Sequence, residues 1–191
     1  MKLLITGFEP FDGNTVNPSW EAVRQLPDRI GEYELCKLNI PTIYGTAAQM
    51  VLERAQRIGA DVIISVGQAG GRDAVTPERI AVNIRDARIP DNAGVLCRGQ
   101  RVAEDGPAAY FSTLPVEAMS QAIRDAGIPS AVSNTAGCYV CNDVLYTLLN
   151  MYHGTAVRAG FIHVPYLPEQ GTPNLSLEDT VRALTAAIAA I

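Results

Sequence analysis

Short apolar, β-branched runs alternate along this chain with longer segments of helical period, and that alternation constrains the fold most. KLLIT (residues 2–6), YELCKLNI (33–40), DVIISVG (61–67), ERIAVNI (78–84), SAVSN (130–134) and VRAGFIHVP (157–165) read as strands. DVIISVG is continuously apolar, as a strand covered on both faces must be. Between them lie helical patterns: SWEAVRQL with Ser19 as N-cap, GTAAQMVLERAQRIG closed by Gly59, PVEAMSQAIRDAG, CYVCNDVLYTLLNMYH, and LSLEDTVRALTAAIAAI capped by Ser176. The polar stretch 85–107 reads as loop or hairpin. The pattern predicts a single-domain α/β/α sandwich around a mostly parallel (mixed) twisted sheet. With no linker or repeat, residues 1–191 form one domain of ample core size. On such sheets ligands bind in loops at the strand ends.

Composition removes several functions. The net charge of −5, with no basic run, argues against a nucleic-acid partner. No apolar segment is long enough to span a bilayer, and the LLI run near the N-terminus is too short for a signal-peptide core. Four cysteines in 191 residues do not resemble a disulfide framework, so reduced thiols in a cytoplasmic protein are expected.

Chemistry concentrates in AGCYVCND. Cys138 and Cys141 stand three apart where a strand turns into a helix. Free N–H groups and the helix dipole there favour a thiolate and a developing oxyanion. Zinc would need two more ligands, and the H-x9-H spacing of His153 and His163 fits no zinc-finger pattern. A thiol–disulfide oxidoreductase using Cys138 and Cys141 stays open as the alternative to a nucleophilic cysteine, as does a pair of buried, inert thiols.

A nucleophilic cysteine needs a base. His153 ends the helix that begins near Cys141, about 15 Å or more away at the helical rise per residue. His163 ends the strand AGFIHVP, where sites gather, and is the favoured base. Glu78 shares parity with Ile80, Val82 and Ile84, so it is expected on a buried face needing a positive partner. A surface pair with Arg79 explains the pattern equally well.

The stretches TGFEPF, NPSW, VGQAGGR, PERIAVN, DARIPDN, GPAAYFSTLP, SNTAGCYVCN and GFIHVPYLP, in order from Thr6 to Pro168, resemble the pyroglutamyl-peptidase I family of cysteine peptidases. The resemblance implies an α/β/α fold and a triad of Glu78, Cys141 and His163. It also implies Arg88 as an oxyanion donor and a substrate pocket of Phe8, Phe11, Gln68, Ile89, Tyr139 and Val140. It further implies peptides with N-terminal pyroglutamate as substrates, no cofactor, and a cytoplasmic homotetramer. Two departures stand out: Cys138 occupies a position often held by Thr, and the chain is somewhat short for the family.

Overall fold

The computed structural model describes all 191 residues. Its main sheet has six strands: β1 (Lys2–Phe8), β2 (Arg29–Ile30), β3 (Tyr33–Ile40), β4 (Val62–Gln68), β5 (Thr76–Pro77) and β8 (Arg158–Val164), in the order β2-β3-β1-β4-β8-β5. β3, β1, β4 and β8 run parallel, while β2 and β5 close the edges antiparallel. A separate ribbon pairs β6 (Ile80–Val82) with β7 (Ala109–Phe111).

Side-chain alternation along the parallel strands builds two cores. Leu3, Ile5, Ile64, Val66, Ile162 and Val164 point to one face. There they meet α1 (Pro18–Gln25), α3 (Val116–Asp125) and α5 (Leu177–Ala189). Leu4, Ile63, Ala159 and Phe161 point to the other face, against α2 (Thr46–Ile58) and α4 (Val140–Met151). Each fully buried Leu, Ile or Phe contributes about 1.5–3 kcal/mol, so covering both faces is what makes the continuous apolar strands stable. The α/β/α sandwich around a mostly parallel sheet is therefore the observed fold.

Local chemistry sets the helix ends. Asn17, not Ser19, caps α1: its Oδ1 accepts the Ser19 N–H at 3.1 Å. Ser19 lies inside the helix, where its hydroxyl accepts the Phe8 N–H at 2.9 Å and so ties α1 to the end of β1. Gly7 makes this approach possible, since a Cβ there would lie 2.6 Å from the Trp20 backbone. Gly59 closes α2 in the left-handed region, and Ser176 caps α5 as its sequence indicates.

Two expected strands are corrected. SAVSN makes only isolated bridges, Val75 with Ser130 and Glu78 with Ser133. ERIAVNI does not run as one strand. Thr76–Pro77 belongs to the main sheet and Ile80–Val82 to the ribbon, so Glu78 sits where the chain passes between them. In the ribbon Ala81 is buried while Ile80 and Val82 are half-buried, so the shared-face argument for Glu78 fails. Glu78 is wholly buried because of its place between sheets.

Candidate active site

The parallel strands end together, and their C-terminal ends deliver side chains to one cleft of about 270 Å³. Phe8 comes from β1, Gln68 from β4 and His163 from β8. Cys141 comes from the first turn of α4, which begins at Val140 with Tyr139 as N-cap. From β1 the sheet grows one way to β3 and the other way to β4, so the cleft lies at a topological switch point.

The thiol lies across Gly67. A Cβ on that glycine would stand 2.9 Å from Cys141 Sγ and 2.8 Å from Phe161 Cζ. Gly67 is in register with His163 on the neighbouring strand, which brings thiol and imidazole to the same cleft wall. No hydrogen bond joins the two groups in this geometry. His163 Nδ1 lies 2.7 Å from Glu78 Oε1. Because an ionised carboxylate only accepts, that contact puts the proton on Nδ1 and leaves the Nε2 lone pair free.

Glu78 Oε1 also accepts from Arg72 Nη1 at 2.6 Å. Arg72 is braced by Thr76 Oγ1 and by the Thr135 carbonyl at 3.0 Å. Burial alone would raise the Glu78 pKa. The His163 hydrogen bond and charge, the nearby Ser133 hydroxyl and Arg72 outweigh it and hold the carboxyl below its usual range. Burial, opposed by Glu78, lowers the His163 pKa, so the imidazole rests neutral. For Cys141, burial and then the Glu78 charge push the thiol up to about 12, against Arg72 and its own N–H. The thiolate expected from the helix start alone is thus corrected. The helix end is outweighed by desolvation in the cleft floor, and the resting pair is a neutral thiol and a neutral imidazole.

The N–H groups of Val140 and Cys141 donate to no backbone carbonyl, as expected of the first amides of a helix. The residues flanking Cys141 hold the loop of residues 83–100. Tyr139 donates its hydroxyl to the Pro90 carbonyl at 2.9 Å. Asn142 accepts the Val82 N–H and donates to the Val82 and Ile84 carbonyls. Buried Asp143 pairs with Arg85 at 2.6 Å and accepts the Gly45 N–H at 2.8 Å.

Of the residues singled out in the sequence, Phe8, Phe11, Gln68, Tyr139, Cys141 and His163 line the cleft. Glu78 stands directly behind His163. The Phe11 and Tyr139 rings lie 5.9 Å apart, and Tyr44 meets Tyr139 edge-on at 5.6 Å. Arg88 is exposed and Ile89 half-buried on the 83–100 loop, and neither lines the cleft. Val140, buried in the second core, does not line the cleft. His153 is exposed beyond the far end of α4, stacked near Tyr110 at 5.3 Å. Sequence reasoning missed Arg72, although it follows the noted QAGG directly. It also missed Gln170, which carried no local signal.

A neutral thiol, an imidazole oriented by a buried carboxylate, and free helix-start amides at the ends of parallel strands define the class: a cysteine-type hydrolase on an α/β/α sandwich. A sequence profile described as pyroglutamyl peptidase matches residues 1–191. The chain is 55% identical to the pyrrolidone-carboxylate peptidase of Levilactobacillus brevis, covering 100% of this chain and 97% of the relative. It is 51% identical to that of a Staphylococcus aureus strain, covering 100% and 93%. Among solved structures, the pyroglutamyl peptidase I of Bacillus amyloliquefaciens superposes with a TM-score of 0.94 at 44% identity, over 99% of this chain and 95% of that one. The pyrrolidone carboxyl peptidase of Thermococcus litoralis gives 0.93 at 38%, over 98% and 91%. The chain belongs to the pyroglutamyl peptidase family of cysteine peptidases. Nothing in the fold or the comparisons supports a dithiol oxidoreductase, and all four cysteines are free.

Proposed function

We propose that this protein removes N-terminal pyroglutamyl residues from peptides, with Cys141 as nucleophile, His163 as general acid and base, and Glu78 as the group that orients His163. The 2.7 Å Glu78–His163 contact carries this reading, because it leaves Nε2 as the one basic nitrogen at the cleft wall shared with Cys141.

The Cys141 S–H proton passes to His163 Nε2 as sulfur attacks the pyroglutamyl carbonyl. Glu78 stabilises the imidazolium that forms, and the Val140 and Cys141 amides receive the oxyanion. The tetrahedral intermediate collapses with cleavage of the C–N bond, and His163 gives its proton to the departing amine. Water, deprotonated by His163, then attacks the thioester, and the proton returns to sulfur as pyroglutamate leaves. Starting from neutral partners, the ion pair forms when substrate is there to be attacked.

The pyroglutamyl ring is compact and largely apolar, with one lactam. Phe8, Phe11 and Tyr139 suit its faces, and Gln68 suits its carbonyl. By family resemblance alone, Arg88 and Ile89, which stand outside the cleft lining on the loop tied to the Cys141 helix, are assigned as second oxyanion donor and outer pocket wall. Only the backbone of Val140 takes part. By family resemblance the protein acts in the cytoplasm as a homotetramer without a cofactor. Phe111, 69% exposed, and Met151, 53% exposed, are apolar groups that self-association would cover.

The test compares hydrolysis of a pyroglutamyl-arylamide with its prolyl counterpart, in wild type and in Cys141→Ser. Cleavage of the first alone, abolished by the substitution, supports the reading. Retained turnover in the variant refutes the nucleophile. Light scattering on the eluted protein tests the tetramer.

A further inference from the structure

Gln170 lies on the loop after β8, away from the reacting groups, and its amide is held by backbone on two sides. Its Oε1 accepts the Leu167 N–H at 3.0 Å, and its Nε2 donates to the Val16 carbonyl at 3.3 Å. A backbone N–H can only donate and a backbone carbonyl only accept, so these two partners leave the Gln170 amide one orientation. Nε2 also reaches Gln68 Oε1 at 3.0 Å. Gln68 must therefore turn its oxygen toward Gln170 and its NH2 the other way.

That NH2 has no acceptor in the protein and is not among the enclosed polar atoms lacking a partner. Gln68 lines the cleft, so its free N–H groups open there. The other neutral polar side chains of the lining are already committed. Asn17 caps α1 and donates to the Glu9 carbonyl at 3.0 Å. Thr42 donates to the same carbonyl at 3.1 Å. Gln68 is thus the uncommitted neutral side-chain donor of the cleft, and its polarity is dictated from outside it.

We propose that Gln170 is a positioning residue for substrate selectivity: it locks Gln68 so that the cleft offers an amide donor to the ring carbonyl of the substrate's first residue. The proposal rests on the reading of Gln68 as the lactam contact. A prolyl ring has a methylene where the lactam has its carbonyl, so it leaves the donor unpaired and is rejected.

Gln170→Glu reverses the lock at nearly constant volume. One carboxylate oxygen still accepts from Leu167, but the other now faces Gln68 as an acceptor and pulls the Gln68 NH2 out of the cleft. The pyroglutamyl-to-prolyl ratio of kcat/KM should fall about tenfold, chiefly through KM for the pyroglutamyl compound. The rate at which iodoacetamide alkylates Cys141 needs no lactam contact and should stay within about twofold of wild type. Gln170→Ala only frees Gln68 to rotate and should lower the ratio by about two- to fivefold; it decides the matter by the same ratio if the glutamate variant does not fold. An unchanged ratio, or equal kcat losses on both substrates with slowed alkylation, means that Gln170 merely braces the loop and overturns the proposal. Gln68→Leu separates the two readings. If it abolishes selectivity while Gln170→Glu and Gln170→Ala retain it, Gln170 alone is misassigned. If Gln68→Leu keeps full selectivity, the lactam contact falls and the proposal with it.

Discussion

Gly67→Ala tests the site's geometry from beneath. Gly67 needs no left-handed backbone, so alanine brings no strain of conformation, only a methyl group in occupied space. That methyl would stand 2.9 Å from Cys141 Sγ and 2.8 Å from Phe161 Cζ. Comfortable contact between such atoms starts at about 3.5 Å, so each must retreat by about 0.6 Å or more. Phe161 is 1% exposed and already lies against Phe8 and His163, so the ring has little room and the sulfur must yield. Overpacking of this kind costs about 1–3 kcal/mol of stability. In a chain of this length the melting temperature should fall by about 2–4 °C for each kcal/mol. A misplaced nucleophile should lose about 10- to 100-fold in kcat with KM little changed, since the pocket walls stay in place. Calorimetry and steady-state kinetics on a pyroglutamyl-arylamide read both effects. In a Cys141→Ala background the sulfur contact is gone, so the same glycine substitution should destabilise less, and a double-mutant cycle measures the difference. Wild-type kcat for Gly67→Ala, or equal destabilisation in both backgrounds, would refute the placement of the thiol over this glycine.

Glu78→Gln should lower kcat by about 10²-fold or more with KM nearly unchanged, and should cost about 1–3 kcal/mol of stability because Arg72 loses its buried counter-charge; a pure KM effect would place Glu78 in the substrate pocket instead. His163→Ala should abolish turnover while His153→Ala leaves kcat within about twofold, as its distance along the helix requires; matched losses would remove His163 from the chemistry. Because His163 titrates below its ordinary value and Cys141 near 12, kcat/KM should stay flat from about pH 7 to 9 and fall only on acidification; a decline across that range would contradict the neutral pair. Stability carries opposite signs at the two ends. Glu78 and His163 are both held below their unfolded values, so the Glu78 contribution is present above about pH 4.5 and the His163 contribution above about pH 6.5, and each is lost as pH falls further. The raised thiol contributes below about pH 9 and is lost as pH climbs toward 12, so Cys141→Ser should lose less stability than wild type in alkali, as denaturant titrations would show.

Much of this fold is legible in the chain because its signals are local. The continuous apolar runs of β1, β4 and β8 can be stable only when covered on both faces, and the helical periods between them supply the cover. Gly59 and Ser176 mark helix ends by their own backbone and side-chain chemistry. The cysteine at a helix start and the histidine at a strand end are likewise local features, and both reach the cleft. Other properties depend on contacts between distant segments. Glu78 lies between two sheets because Thr76–Pro77 pairs with β8 while Ile80–Val82 leaves to pair with β7. An alternation count within one segment cannot register that division. The protonation of Cys141 escapes the local pattern for a related reason: a helix start favours thiolate, but burial in the folded cleft and the charge of Glu78, distant in the chain, oppose it. Gln170 lies 102 residues from the glutamine it orients. Hydrophobic period and capping act over a few residues and can be read directly, whereas the charge state of a thiol and the facing of an amide are set by whatever the folded chain brings within a few ångströms.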